Sequence, residues 1–123
     1  MKNFIGTIKK SGPVKKRRSF AIPDHELDIN GQLTLFALME HISLEKTNRL
    51  SALQLGGDFQ ENIHNVDMTF YENARANDVL ILESSFTRHN KKKAALKIYI
   101  SKQTPGQSAA RVCKAVYILS VSY

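Results

Sequence analysis

The 123-residue sequence holds a single cysteine, no tryptophan and only three prolines. With Cys113 alone no intrachain disulfide can form, which fits a reducing compartment. Its thiol lies in a strongly apolar stretch and reads as a small core residue. No run approaches the roughly 18 to 20 apolar residues that cross a bilayer. The lysines near the start precede no continuous apolar block with a cleavage site, so no signal peptide is expected and the chain reads as cytoplasmic. Acid is missing from residues 1–23, which hold Lys2, Lys9, Lys10, Lys15, Lys16, Arg17 and Arg18, seven of the 18 basic residues. The other eleven balance the 11 acids, so the net charge of +7 belongs to an N-terminal arm and the body is neutral. No aromatics interleave with the basic residues of the arm, so it reads as a solvated leader and nucleic acid is not the expected partner. His25, His41, His64 and His89 show no metal-ligand spacing; neither a metal nor a cofactor is expected.

What is present is ordinary for one globular domain: 42% hydrophobic and 24% charged residues. The expected division is a basic arm over 1–16 and a single domain over 17–123. Arg18 to Ile22 reads as a short strand ended by Pro23. From Thr34 the pattern turns helical, with Leu35, Leu38, Met39, Ile42, Arg49 and Leu53 on one face and Glu40, Lys46 and Asn48 outward. Leu33, Phe36, Ala37 and Leu44 widen the apolar side, which predicts a helix wrapped by a sheet. Gly56-Gly57 is the expected stop. Period-two stretches follow around Val66–Phe70, Leu80–Phe86, Leu96–Ile100 and Arg111–Tyr123. Hairpin-like links are predicted at Asn73–Asp78, His89–Lys93 and Thr104–Ser108. The reading is an α+β layer: a short strand, one long helix, then four strands in antiparallel succession.

The stretch Glu26-Leu27-Asp28-Ile29-Asn30-Gly31 admits three readings. It can be a plain turn, with Asn30-Gly31 supplying positive φ and Asp28 bonding local amides. Its start resembles a calcium loop, but the twelfth position, where a bidentate Glu is required, is Ala37 in an apolar helix, which rejects calcium. Or it can be catalytic, because a carboxylate just before a helix start sits beside free backbone N–H groups and the positive end of the helix dipole. Such amides stabilise an oxyanion while the carboxylate attacks or activates water.

The whole layout resembles the hot-dog fold, a curved antiparallel sheet wrapped around one long central helix. The turn resembles the D-x-D-x-x-G pattern of its 4-hydroxybenzoyl-CoA thioesterase class, with Glu26 for the first Asp. The stretch from Phe70 through Ile100 resembles that family's strand-turn-Gly-Asp-strand passage, with Asn77-Asp78 for Gly-Asp. The resemblance implies an acyl thioester hydrolase acting on acyl-CoA or acyl carrier protein. It implies Asp28 as nucleophile or general base and the backbone amides of Leu35 and Thr34 as the oxyanion site. It also implies pairing into a homodimer or a dimer of dimers with the active sites at the seam. Relatives carry His and Asn after the glycine where this chain has Gln32-Leu33-Thr34, and a mid-helix acid where it has Ser43. An apolar mouth is therefore expected. Phe36, Met39, Met68 and Phe70 are the candidate acyl-pocket residues, and Arg88, Lys91 and Lys92 the candidate cations for the CoA nucleotide. Two rivals remain: a non-catalytic acyl-binding module, and a 3-hydroxyacyl thioester dehydratase in which His25 or His41 would serve.

Overall fold

The computed structural model describes residues 14–52, 60–90 and 92–122. Strand β1 runs Val14–Ala21, a short 3-10 turn spans Asp24–Glu26, and helix α1 runs Leu35–Ala52. Strands β2 (Gln60–Phe70), β3 (Val79–Arg88), β4 (Lys93–Gln103) and β5 (Ala110–Ser122) complete the domain. It is one curved antiparallel sheet packed on one long helix, the hot-dog fold. None of the described helices is long and apolar enough to cross a membrane. β1 starts at Val14 rather than near Arg18, so Val14, Lys15 and Lys16 are paired to Phe86, Ser85 and Ser84 of β3. Gly56-Gly57 and Leu53, expected at the helix end, lie outside the described residues.

The strand order is β1-β3-β4-β5-β2, which corrects the expected succession. β2 does not pair with β3; it lies at the far edge against β5, with Met68 opposite Ala115 and Phe70 opposite Cys113. The Asn73–Asp78 link is therefore a crossover along the end of the sheet, not a hairpin. Eight residues separate Phe70 from Val79. At ~3.3 Å each they span up to ~26 Å, well over the ~14 Å of three interstrand steps. Local pattern cannot distinguish the two routes, because both need the same turn residues. The other two links are hairpins: His89 N–H donates to the Lys93 carbonyl at 2.9 Å, and Gln107 N–H to the Thr104 carbonyl at 2.9 Å.

Alternation sends Leu80, Leu82 and Phe86 of β3, Leu96, Ile98 and Ile100 of β4, and Cys113, Ala115 and Leu119 of β5 toward α1. The helix meets them with Ala37, Leu38, Ile42 and Leu50. Cys113 is core, as expected, and burial pushes its thiol up to about 11. The helix face differs from the expected one. Leu35 and Phe36 remain 62% and 75% exposed, and Met39 and Leu44 also face out. One sheet covers only one side of a helix, so a helix apolar over more than half its surface keeps a bare stripe. Arg49 is buried on the face where it was expected, and Glu45 is buried beside it. Glu45 Oε2 accepts from Ser84 Oγ at 2.6 Å. Arg49 Nη1 donates to the Ser84 carbonyl at 2.9 Å and also to Ser84 Oγ.

Candidate active site

The turn after β1 folds on Asp28. Its Oδ1 accepts from Asn30 N–H at 2.8 Å and Gln32 N–H at 3.0 Å. Its own N–H donates to the Gln32 carbonyl at 2.8 Å, and its carbonyl accepts from Gly31 N–H at 3.0 Å. Gly31 has φ 77°, whereas Asn30 is not in the left-handed region, so the glycine alone supplies the positive φ. The plain-turn reading thus describes real bonds, but these use one oxygen. Oδ2 of the exposed carboxylate has no hydrogen-bond partner among the described residues. No group of three acids, histidines or cysteines able to hold a metal occurs among the described residues.

The helix opens on Thr34, whose Oγ1 accepts from Ala37 N–H at 3.1 Å as a side-chain cap. Thr34 N–H donates to the Glu26 carbonyl at 3.0 Å, so this amide, expected at the oxyanion site, is held by the turn. Leu38 N–H bonds the Thr34 carbonyl at 3.1 Å. The amides of Leu35 and Phe36 are then the first-turn N–H groups without an acceptor among the described residues. Beside them opens a cleft of about 730 Å³ between the helix start, the crossover loop and the end of β2. Leu35, Leu38, Phe70 and Tyr71 form apolar wall, and Gln32, Asn73, Arg75 and Lys102 form polar wall. The mouth is mixed, not apolar as expected. Lys102 Nζ donates to the Asn73 carbonyl at 2.6 Å and pairs with Glu72 at 3.1 Å.

Asp78 fixes that loop from inside. Buried, it accepts from Arg75 N–H at 2.9 Å and from Thr104 Oγ1 at 2.7 Å. Asn77 before it has φ 76°, the conformation a glycine would take, and Asn tolerates it better than most residues. The Asn77-Asp78 pair therefore builds the cleft wall from a turn.

Of the expected acyl-pocket residues, Phe70 lines the cleft. Met68 packs half-buried against the core. Phe36 and Met39 lie on the bare helix stripe and do not line the cleft. Arg88 is nine residues along β3 from Val79. At ~3.3 Å per residue this is ~30 Å from the end of the sheet that carries the cleft. Lys92 sits at the same distal tip, and Lys91 lies outside the described residues. The cations at the cleft are Arg75 and Lys102, which the sequence reading missed. Linear pattern carries no signal for them, because a crossover brings Arg75 to Gln32.

His41 is one of the two histidines that could serve a dehydratase. Its Nε2 lies 2.8 Å from Glu26 Oε1, and its ring packs 4.9 Å from Phe20. Glu26 thus grips the helix twice, by its side chain at His41 and by its carbonyl at Thr34. Ser43 is exposed, and Glu45, the next acid on the helix, is turned into the core. His64 has no described side chain, and His25 is exposed, with Nε2 4.0 Å from Glu26 Oε2.

A single curved antiparallel sheet over one helix, with an acidic turn feeding the helix start, defines a hot-dog protein. Comparison with known proteins agrees on the fold. A 4-hydroxybenzoyl-CoA thioesterase from Pseudomonas sp. strain CBS-3 superposes with TM-score 0.66 at 17% identity, covering 90% of this chain and 85% of that one. A 1,4-dihydroxy-2-naphthoyl-CoA thioesterase from Synechocystis gives TM-score 0.60 at 18% identity, covering 89% and 82%. A 12:0-ACP thioesterase from Umbellularia californica gives 0.68 at 13%, covering 87% of this chain but 45% of that one. No protein-family model and no curated protein matches the chain.

Proposed function

We propose that the protein is an acyl thioester hydrolase acting on acyl-CoA or acyl carrier protein. The observation that carries this is an exposed Asp28 carboxylate, bonded through Oδ1 alone, in the turn that feeds a helix start whose Leu35 lines a cleft; Asp28 itself is not among the residues lining it. Asp28 takes a proton from water as the oxygen adds to the thioester carbonyl, or adds to it directly. The Leu35 N–H, joined by that of Phe36, receives the developing oxyanion; the Thr34 amide is already engaged and drops out of the role. The tetrahedral adduct collapses, the C–S bond breaks, and the thiolate leaves to be protonated by solvent. On the direct route this leaves the acyl group as an anhydride on Asp28, which water then hydrolyses to the free acid, restoring the carboxylate. A positioned general base supplies ~10²–10⁴-fold and one oxyanion donor ~10²–10³-fold.

The functional unit in this reading is a homodimer. The bare stripe of Leu35, Phe36, Met39 and Leu44 begins at the helix start that carries the site and runs to mid-helix. β2 is an edge strand with exposed Phe70 and Val66, and such an edge leaves backbone groups for a second copy. Phe36 and Met39 then close the partner's cleft, whereas Arg88 and Lys92, at the distal tip of the sheet, are too far from the cleft of their own chain to serve its substrate. A dimer of dimers is compatible with the same contacts.

A dehydratase reading draws on the His41–Glu26 pair, but His41 is half-buried against Phe20 with its Nε2 engaged by Glu26, whereas Asp28 is exposed. The test is thiol release from a panel of short, long and aromatic acyl-CoA and acyl-carrier-protein thioesters, with Asp28→Asn as comparison. Turnover should fall at least ~10²-fold in the variant, with fold retained. Binding without turnover in the wild type would leave an acyl-binding module.

A further inference from the structure

Lys15, Lys16, Arg17 and Arg18, the last basic residues of the N-terminal stretch, belong to β1. In β1, Lys16 and Arg18 lie opposite Ser84 and Leu82, on the helix side of the sheet. Lys15 and Arg17 therefore project from the other face, opposite Ser85 and Glu83. β4 continues the two rows with Lys97 opposite Ser85 and Tyr99 opposite Glu83. Arg111 joins them through a bulge. Ile100 faces Cys113 but Ser101 faces Arg111, which leaves Val112 as the extra residue. Val112 and Cys113 are both buried, and Arg111 is turned to the outer face with Cζ 4.4 Å from the Tyr99 ring centroid. Strict alternation from the buried Cys113 would have aimed Arg111 inward; the bulge re-aims it.

These side chains line a groove of about 560 Å³ on the face of the sheet opposite α1. Ser85 and Thr87 add hydroxyl donors, and Glu83, the acid on its wall, is 3.8 Å from Arg17. We propose that this groove is a nucleotide-phosphate site, separate from the acyl cleft, for a small ligand carrying two or more phosphate groups. The volume suits a small molecule, for which pockets run ~300–1,000 Å³. Arg17 and Arg111 offer planar, bidentate phosphate donors, and Lys15 and Lys97 offer point charges. The guanidinium stacked on Tyr99 leaves its outer plane for a base. A nucleic-acid strand needs a row of stacking aromatics, and Tyr99 is the aromatic on this wall. The ligand is either a free nucleotide or the nucleotide end of coenzyme A; only the second source rests on the thioesterase reading.

Isothermal titration of the full chain at low salt with adenosine 3′,5′-bisphosphate, ADP and plain adenosine tests the site directly. The phosphorylated ligands bind and adenosine does not. Lys97→Glu with Arg111→Glu weakens binding about ten- to hundredfold, and Lys15→Glu weakens it separately. Glu83→Gln tightens it several-fold, because it removes the acid that competes for Arg17. All four positions are on the surface, so thermal unfolding of the variants serves as the folding control. No binding of either nucleotide overturns the proposal, as does binding untouched by the charge reversals, or binding of polyadenylate alone. The source is read from kinetics. A tenfold rise in KM for acyl-CoA at constant kcat, absent for the acyl-N-acetylcysteamine thioester, assigns coenzyme A. Unchanged KM with bisphosphate binding lost assigns a free nucleotide. A chain without hydrolase activity still gives a decisive titration.

Discussion

Replacing Glu45 by Leu should cost far more than the surface charge count suggests. Glu45 and Arg49 sit one helical turn apart, both buried, and both meet Ser84 on β3. Arg18 Nε adds a longer contact to Glu45 Oε1 at 3.9 Å. Burial pushes the Arg49 guanidinium below its ordinary pKa, and the Glu45 carboxylate pulls it back. Glu45→Leu removes that compensation and leaves a buried cation, a change that typically costs about 3–5 kcal/mol. For a domain of this size about 3–5 °C accompanies each kcal/mol, so the Tm should fall by roughly 10–25 °C. Removing the whole group, with Glu45→Leu, Arg49→Met and Ser84→Ala together, should recover most of the loss, because apolar substitution of an entire buried ion pair is often near neutral. Urea unfolding followed by circular dichroism measures both, with unchanged m-values as the two-state check. A single variant that loses less than ~1 kcal/mol, or a triple variant as damaged as the single, would refute this account of the network.

Cys113 should resist a thiol reagent in the native state at pH 8 and react on unfolding, since it is buried and its pKa stands at about 11. Between the ordinary thiol value and about 11 the folded chain keeps a proton that the unfolded chain has lost. Its contribution to stability is therefore complete below about pH 8.5–9 and fades as pH rises toward 11. Tyr117, also raised by burial, fades in the same direction. Urea midpoints from pH 8 to 11 should fall, less steeply in Cys113→Ala. Phe36→Asp should turn a wild-type dimer into a monomer by light scattering without lowering Tm much, because the side chain is 75% exposed in one protomer. A wild type that is already monomeric would remove the seam from the proposed function.

Much of the site was readable from neighbours in sequence, because its bonds are local. The Asp28 turn closes within four residues, Gly31 carries the positive φ, and Thr34 caps the helix it begins. Strand faces were equally legible: period two places Leu80, Leu82, Leu96 and Ile98 on one side whatever the neighbouring strand is. The resemblance to the hot-dog fold rested on these local features and their order, and that is why it held.

The order of the strands was not local. A hairpin and a crossover begin with the same residues, and lengthening a loop costs little, so only the packed sheet decided that β2 lies beside β5. That decision brought Arg75 to Gln32 and built the mixed wall of the cleft. It also left the Arg88–Lys92 tip at the distal end of the sheet. Tertiary contact likewise put Glu45 in the interior and left Leu35 and Phe36 outside, because Ser84 offered the partner that a buried charge requires. The bulge at Val112 reversed the face of Arg111, which alternation alone assigns inward. Sequence by itself determined turns and the alternation of regular strands, where each residue answers to its nearest neighbours. The tertiary structure determined which distant side chains share a groove, because that depends on pairings between segments no local interaction can specify.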